Sequence, residues 1–265
     1  MDENDLRRQA RKTGFDVATL EKDYALTWLL SSIYWNESKL KDLLIFKGGT
    51  AIRKIYFPEW RLSEDMDFTI IKQVDPQSLK QDFEDILKTV SRTSGIIFSV
   101  SAFNAGEFTI FANIQFLGPM GFKNKISFDI SLKEKLIEKP LQINVKPEYD
   151  EIPPFEVLVY SPNEILVEKL RSILQRGKAR DYYDVWRLLK EKDFDQSMIG
   201  ELLIEKCRIT GIEFKPELFF DPDRLSEANK FWTIALARLT RDLPDFELIV
   251  KDLKSMLDFI RQGNE

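Results

Sequence analysis

Two kinds of hydrophobic pattern divide the chain: short apolar runs between turns up to about residue 160, then longer stretches with an apolar residue every third or fourth position. In the first part, Leu20, Tyr24, Leu26, Thr27, Leu30 and Ile33 recur near helical spacing, which predicts a packing helix over Val17–Trp35 within a helical lead-in, residues 1–35. Leu43–Phe46 predicts a short buried strand, Thr50–Tyr56 a helix stopped by Pro58, and Asp67–Ile71 the next strand. Pro76 opens an amphipathic helix carrying Leu79, Phe83, Ile86, Leu87 and Val90. Ile96–Phe103 and Glu107–Leu117 flank Asn104-Ala105-Gly106 and predict a hairpin. Lys125–Leu132 alternates apolar and polar residues, a strand with Asp129 beside Ser127 and Ser131 on one face. The proline-rich stretch 138–154 reads as a loop with room for one short strand, and Phe155–Tyr160 is the last strand. Ser161-Pro162-Asn163-Glu164 then forms a capping box with proline at the first helical position. Beyond it the helical pattern covers 162–176, 180–191, 196–208, 223–240 and 245–262. The expected fold is α/β (α+β): a mixed sheet with flanking helices over residues 36–160, followed by an all-helical half, residues 161–265. A cleft between such halves is an expected ligand site.

Composition narrows the chemistry. The chain has 265 residues, 43% hydrophobic and 31% charged, which suits a water-soluble globular protein. No apolar run approaches the roughly 20 residues of a membrane span, so no membrane partner is expected. The N-terminus MDENDLRRQARK has no hydrophobic signal region. The single cysteine, Cys207, cannot form an internal disulfide and is expected to pack in a helix; a cytoplasmic location fits both features. The absence of histidine decides more. It excludes Ser-His-Asp and Cys-His catalysis and an ordinary zinc site. Any metal must be held by carboxylates and any general base must be Asp, Glu, Lys or Tyr, which points to phosphoryl or nucleotidyl transfer. The net charge of −5 means that only a local basic patch can hold nucleic acid.

Such chemistry has a candidate in Phe46–Ile71. An apolar run feeds Lys47-Gly48-Gly49-Thr50, and one helix length later Asp65-Met66-Asp67 opens a second apolar run. Residues i and i+2 of a strand share a face, so both carboxylates project together. Side by side they repel unless a cation lies between them, and hard oxygen ligands favour Mg²⁺ or Mn²⁺. A glycine pair allows close backbone approach, and a following helix aims N–H groups at an anion. Alone, a D-x-D is usually a surface turn and a Gly-Gly usually a loop; their order and the strand on each side make a phosphate cradle facing a metal-binding pair. Asp129 is the third acidic candidate, able to complete a two-metal site from a neighbouring strand; its alternative is a solvent-facing position on an edge strand. Lys169–Arg180 holds five cations and no acid, with Lys169, Ile173 and Arg176 on one helical face before Gly177 breaks the helix. Charge runs are ordinarily solvated faces; here the concentration in an acidic chain suggests that Lys169 meets the phosphates of an NTP and that Arg176, Lys178 and Arg180 meet a polyanionic acceptor.

The segments LEKDYALTWLL, FKGGTAIRKIY…RLSEDMDF, FDISLKE and SPNEILVEKLRSILQRGKARDYYDVWRLL together resemble the AbiEii/AbiGii toxin family of nucleotidyltransferases, from about Leu20 to about Leu189. The last 75 or so residues carry no recognised signature. The resemblance implies a polymerase-β-like nucleotidyltransferase fold, Mg²⁺ (or Mn²⁺) and an NTP substrate, an RNA acceptor such as the tRNA 3′ end, and a toxin role beside a separate antitoxin in phage defence. On this resemblance the metal ligands fall on Asp65 and Asp67, with Asp129 less securely matched. The nucleotide-binding positions fall on Lys47, Gly48, Gly49, Thr50, Ser63, Lys169 and Arg171. The aspartate after the lysine falls on Asp181 or Asp184, with Asp181 favoured; whether it positions Lys169 or Arg171 or reaches the nucleobase stays open. Transfer to a protein or small molecule, a non-catalytic nucleotide-binding module and a metal-dependent nuclease are the alternatives. The intact D-x-D argues against a binding-only module, and the Gly-Gly helix start argues against a nuclease.

Overall fold

The structure is a computed structural model that describes residues 1–262. It divides into two compact units, one formed by Met1–Glu134 and Pro140–Tyr160, the other by Lys135–Lys139 and the chain from Ser161 onward.

The first unit is built on a mixed seven-stranded sheet with order β3-β4-β5-β2-β1-β7-β6. Its strands are β1 (Leu44–Lys47), β2 (Asp65–Ile70), β3 (Ile97–Ala105), β4 (Thr109–Leu117), β5 (Lys123–Ser131), β6 (Leu141–Val145) and β7 (Phe155–Val159). β1 pairs antiparallel with β2 and parallel with β7, while β2 pairs parallel with β5. One face is packed: Phe46, Phe68, Phe83 and Phe128 form a chain of ring contacts, with Phe68 stacked on Phe128 at 5.8 Å between centroids. Phe83 comes from α4 (Pro76–Ser94), which begins as expected with Pro76 behind an Asp75 cap and ends at Gly95 in the left-handed conformation. β6 supplies the one strand allowed for in the proline-rich stretch.

The lead-in is two helices, α1 (Glu3–Thr13) and α2 (Val17–Ile33), because Gly14 turns left-handed and Asp16 caps the second. α2 is buried almost throughout from Thr19, including two acids that its apolar spacing does not account for. Glu21 accepts the Met120 N–H at 2.7 Å and so fastens the β4–β5 turn. Burial holds its carboxyl above the ordinary glutamate range, against the opposing effect of that N–H. Asp23 accepts Lys54 at 2.7 Å and the Tyr149 hydroxyl at 2.8 Å. Burial works to raise its carboxyl, but the charges of Lys54 and Arg53 outweigh it and hold the group below the ordinary range.

The second unit is helical, comprising α5 (Pro162–Arg176), α6 (Ala179–Glu191), α7 (Gln196–Thr210), α8 (Pro222–Leu236), α9 (Phe246–Met256) and α10 (Asp258–Gln262), with a 3₁₀ turn over Pro216–Phe220. Ser161 caps α5 through the Glu164 N–H, and Gly177 closes it in the left-handed region. Lys206, wholly buried, binds Glu164 at 2.8 Å and the Lys135 carbonyl at 2.9 Å. Glu164 also accepts the Ile137 and Glu138 N–H groups, so one buried ion pair fastens the short 135–139 segment to α5 and α7. Cys207 is buried on α7, in a packing position. No helix among the described residues is long and apolar enough to cross a membrane.

Candidate active site

β-Sheet register, more than sequence proximity, assembles the acidic positions. Asp65 and Asp67 start β2 and share one face; Met66 and Phe68, between and after them, are fully buried on the other. In the parallel β2–β5 ladder Asp67 lies opposite Asp129, and Asp65 opposite Ser127. In the antiparallel β1–β2 ladder Asp67 lies opposite Lys47. Lys47, Asp67 and Asp129 thus form a transverse row across three adjacent strands, each step about 4.8 Å. Asp129 is exposed, as a solvent-facing position would be, but its strand lies inside the sheet rather than at an edge.

The glycine pair shapes what stands above this row. The helix starts earlier than the apolar pattern suggests: α3 spans Gly48–Ala51 and then widens into a π-helical turn over Ile52–Tyr56. There the Phe57 N–H reaches the Ile52 carbonyl, five residues back, at 2.8 Å. Gly48 has φ +76°, and a Cβ placed on it would lie 2.1 Å from Oδ2 of Asp67. The Asp67 carboxylate therefore occupies the space that any side chain at 48 would take. A Cβ on Gly49 would lie 2.8 Å from the Arg61 guanidinium and 3.5 Å from the Ser63 hydroxyl, which places those two groups over the second glycine. Thr50 is buried and its hydroxyl donates to the Asp65 carbonyl, so its visible contact fixes the start of β2.

Two residues of this neighbourhood carry no signal in the spacing. Glu134, just past β5, accepts Lys47 Nζ at 3.0 Å, with both side chains nearly buried. Arg61, four residues before the D-x-D, is 4% exposed. Lys47 also lies 5.7 Å from the centroid of the Tyr160 ring, whose hydroxyl shares a hydrogen bond with Thr69 at 2.7 Å. The signal available in sequence was the charge type alone, and only the fold shows that Glu134 is the acid paired with Lys47.

The remaining candidates lie in the second unit. Lys169 Nζ is 2.8 Å from Asp184 and 3.6 Å from Asp181, both acids being essentially inaccessible to solvent. Asp181 accepts the Arg176 guanidinium through both oxygens, at 3.0 and 3.2 Å. Arg171 donates to Gln175, not to Asp181. Arg180 donates to the Ala235 carbonyl at 3.3 Å, and Lys178 is exposed ahead of α6. The basic junction is thus largely engaged by its own unit, with Arg176 and Lys169 meeting at buried acids.

For a divalent cation the donor set is suitable. Mg²⁺ is ordinarily held by one or two carboxylates together with substrate phosphates, not by an all-protein cage. Asp65 and Asp67 on one face, with Asp67 seated where Gly48 lacks a Cβ, meet that requirement, and Asp129 is one strand away. Among the described residues no group of three or more acidic, cysteine or histidine side chains stands in a metal-holding cluster.

The family model described as nucleotidyl transferase AbiEii toxin, type IV TA system, matches residues 28–258. No curated protein matches the chain. Among solved structures, MenT4, a nucleotidyltransferase toxin of Mycobacterium tuberculosis, is similar in fold at a TM-score of 0.68 and 16% identity, over 98% of this chain and 90% of that one.

Proposed function

We propose a function on the premise that the chain belongs to the AbiEii family of nucleotidyltransferase toxins, and is a nucleotidyltransferase of that type IV toxin–antitoxin class. It transfers a nucleoside monophosphate from an NTP to a hydroxyl of an RNA acceptor, the tRNA 3′ end being the expected one. A cognate antitoxin is its expected partner, and phage defence its expected setting. The observation that carries this reading is the seat of Asp67: its carboxylate fills the Cβ space of Gly48 and stands in register with Lys47 and Asp129. The phosphate cradle and the carboxylates are therefore one site, packed against each other.

In the proposed step the acceptor oxygen attacks the α-phosphorus. A new oxygen–phosphorus bond forms, the bond to the β-bridging oxygen breaks, and pyrophosphate leaves with that electron pair. Asp129, the exposed acid of the row, takes the hydroxyl proton. The backbone at Gly48 and Gly49, with Arg61 and Ser63 above it, holds the triphosphate. Asp65 and Asp67 would hold Mg²⁺ or Mn²⁺, which supplies charge neutralisation at the phosphates when bound.

Incubating the protein with each of the four α-labelled NTPs, Mg²⁺ and total RNA tests this directly. Label is expected in RNA from the wild type, with loss in Asp65→Asn and Asp67→Asn proteins that melt like the wild type. Lys169→Ala is expected to raise the NTP KM or lower kcat whichever acceptor is used. Near-wild-type turnover by either β2 variant at saturating Mg²⁺ overturns the metal assignment, and label confined to protein or a small molecule overturns the RNA acceptor.

A further inference from the structure

Two of the three cations expected to hold the acceptor are engaged within their own unit: Arg176 at Asp181 and Arg180 at the Ala235 carbonyl. The first unit offers another surface, continuous with the carboxylate row. Along β4, Ile110, Ala112, Ile114 and Phe116 are at most 1% exposed and face the core. The intervening residues face the other way, and among them Phe111 is 39% exposed. An antiparallel strand with one solvated face ordinarily places polar residues there, as this strand does at Asn113 and Gln115. Phe111 breaks that rule directly opposite Asp129 in the β4–β5 ladder; the other apolar residue on this face, Leu117, is at the far end of the strand.

The transverse row therefore continues from Lys47, Asp67 and Asp129 to an exposed aromatic ring, two strand spacings or about 10 Å from Asp67. Along β5 the same face changes character. Asp129 is its only acid, and Lys125 and Lys123, both exposed, stand four and six residues before it. At about 3.3 Å per residue these lysines are roughly 13 and 20 Å from the carboxylate end. Between them and Phe111 lies Asn113, whose Oδ1 accepts the Ser127 hydroxyl at 3.1 Å and is thereby held in place.

An aromatic ring next to the reacting end, an oriented amide beside it and cations further along describe a platform for a single nucleic-acid strand. Bases stack on the ring, amides meet base edges and lysines track the phosphates. A protein partner would call for a contiguous apolar patch, whereas Phe111 stands among polar neighbours. We infer that the open face of β4 and β5 is the acceptor site, where a single-stranded RNA lies with its 3′-terminal base region stacked on Phe111 and its upstream phosphates near Lys125 and Lys123. The inference rests on the proposed nucleotidyl transfer to RNA and adds the place where that RNA is held.

The test uses full-length protein, Mg²⁺, the preferred NTP and an RNA strand of about 12 nucleotides with a free 3′ hydroxyl, within the range of site sizes for single-strand binders. Phe111→Ala is expected to raise the acceptor KM roughly 5- to 150-fold, the loss of one stacked base, while the NTP KM stays unchanged. Phe111→Trp, which keeps a stacking face, is expected to restore acceptor binding. Lys125→Gln is expected to flatten the salt dependence of RNA binding by about 0.7 of a log unit per log unit of salt, one phosphate contact on a single strand. Melting curves of each variant separate folding from binding. Wild-type protein that labels RNA alongside a Phe111→Ala variant whose acceptor KM lies within twofold of it overturns the platform alone. Wild-type protein that labels only protein overturns the RNA occupant and the acceptor half of the proposed function together.

Discussion

Gly48→Ala is the substitution on which the candidate site stands or falls. Two costs can be worked from the structure. The first is backbone: Gly48 has φ +76°, and an L-residue there costs about 1–2 kcal/mol. The second is contact: the new methyl would lie 2.1 Å from Oδ2, 2.8 Å from Cγ and 3.0 Å from Cβ of Asp67, where carbon contacts relax at about 3.5 Å or more. Turning the Asp67 side chain off its rotamer relieves most of that overlap for about 0.5–1.5 kcal/mol. The expected loss is about 2–3 kcal/mol, which is roughly 4–12 °C in Tm for a unit of this size. Activity should fall further, on the order of 10²-fold, because relief requires the carboxylate to move by about 1 Å. The assay is thermal or urea unfolding of four proteins (wild type, Gly48→Ala, Asp67→Ala and the double variant) with NTP turnover measured on the first two. With Asp67 truncated to alanine the carboxylate overlap is gone, and Gly48→Ala should cost only the backbone term and the remaining 3.0 Å contact with the Cβ at 67, leaving a coupling of about 0.5–1.5 kcal/mol. Equal penalties in both backgrounds, or a Gly48→Ala protein that turns over NTP like the wild type, would refute the packing of cradle against carboxylate. Gly49→Ala carries no left-handed backbone term, and its methyl would lie 2.8 Å from the Arg61 guanidinium and 3.5 Å from the Ser63 hydroxyl, away from the carboxylates.

The remaining expectations concern pH and ligand. Glu21 is held above the ordinary glutamate range by burial, so its neutral form suits the fold; that contribution is complete below about 4.5, the unfolded value, and is lost as pH rises through the folded value. Glu21→Gln, which keeps an acceptor for the Met120 N–H, should raise Tm at pH 8 and make no difference at pH 4; a wild type more stable at pH 8 would reverse the sign and the argument. Saturating Mg·NTP, at a hundredfold excess over Kd, should stabilise the protein by about 2.7 kcal/mol, and NTP in EDTA should do little. An equal thermal shift with and without metal would instead indicate a phosphate pocket that does not use the carboxylates.

The elements of the sheet unit were legible because their signals are local. Pro76 behind Asp75, the alternation through Phe128 and Ile130, and the hairpin between β3 and β4 each depend on a few neighbouring residues, although Asn104 and Ala105, expected in its turn, pair within β3 and the turn falls at 106–108. What was misplaced depended on distant ones. The helix was expected from Thr50, yet α3 begins at Gly48, a left-handed glycine whose missing side chain leaves room for the distant Asp67 carboxylate. The short strand allowed for in the proline-rich stretch has no bounds legible in the sequence, because β6 is an edge strand whose residues are mostly exposed and no continuous apolar run marks it. Glu21 and Asp23 sit in a helix whose apolar spacing says only that it packs; the turn at Met120 and the Lys54 ammonium that justify them are 99 and 31 residues away.

The same distinction applies to the site. The D-x-D and the glycine pair could be found because each is a local pattern, and strand periodicity alone puts both carboxylates on one face. That Asp67 rather than Asp65 is the carboxylate seated at Gly48 is a matter of register, fixed by Lys47↔Asp67 and Phe46↔Phe68 in the β1–β2 ladder. A slip of one residue would turn every side chain of β2 to the opposite face, and the fully buried Phe68 and Met66 oppose it. The packed face of the sheet therefore holds the acids in position: the apolar side chains behind β2 fix its register, and the register delivers Asp67 to the glycine and aligns it with Asp129 and Phe111. On that argument a core substitution that loosens the pairing, such as Phe68→Ala, disturbs the acidic row from the far side of the sheet without touching a residue of the site.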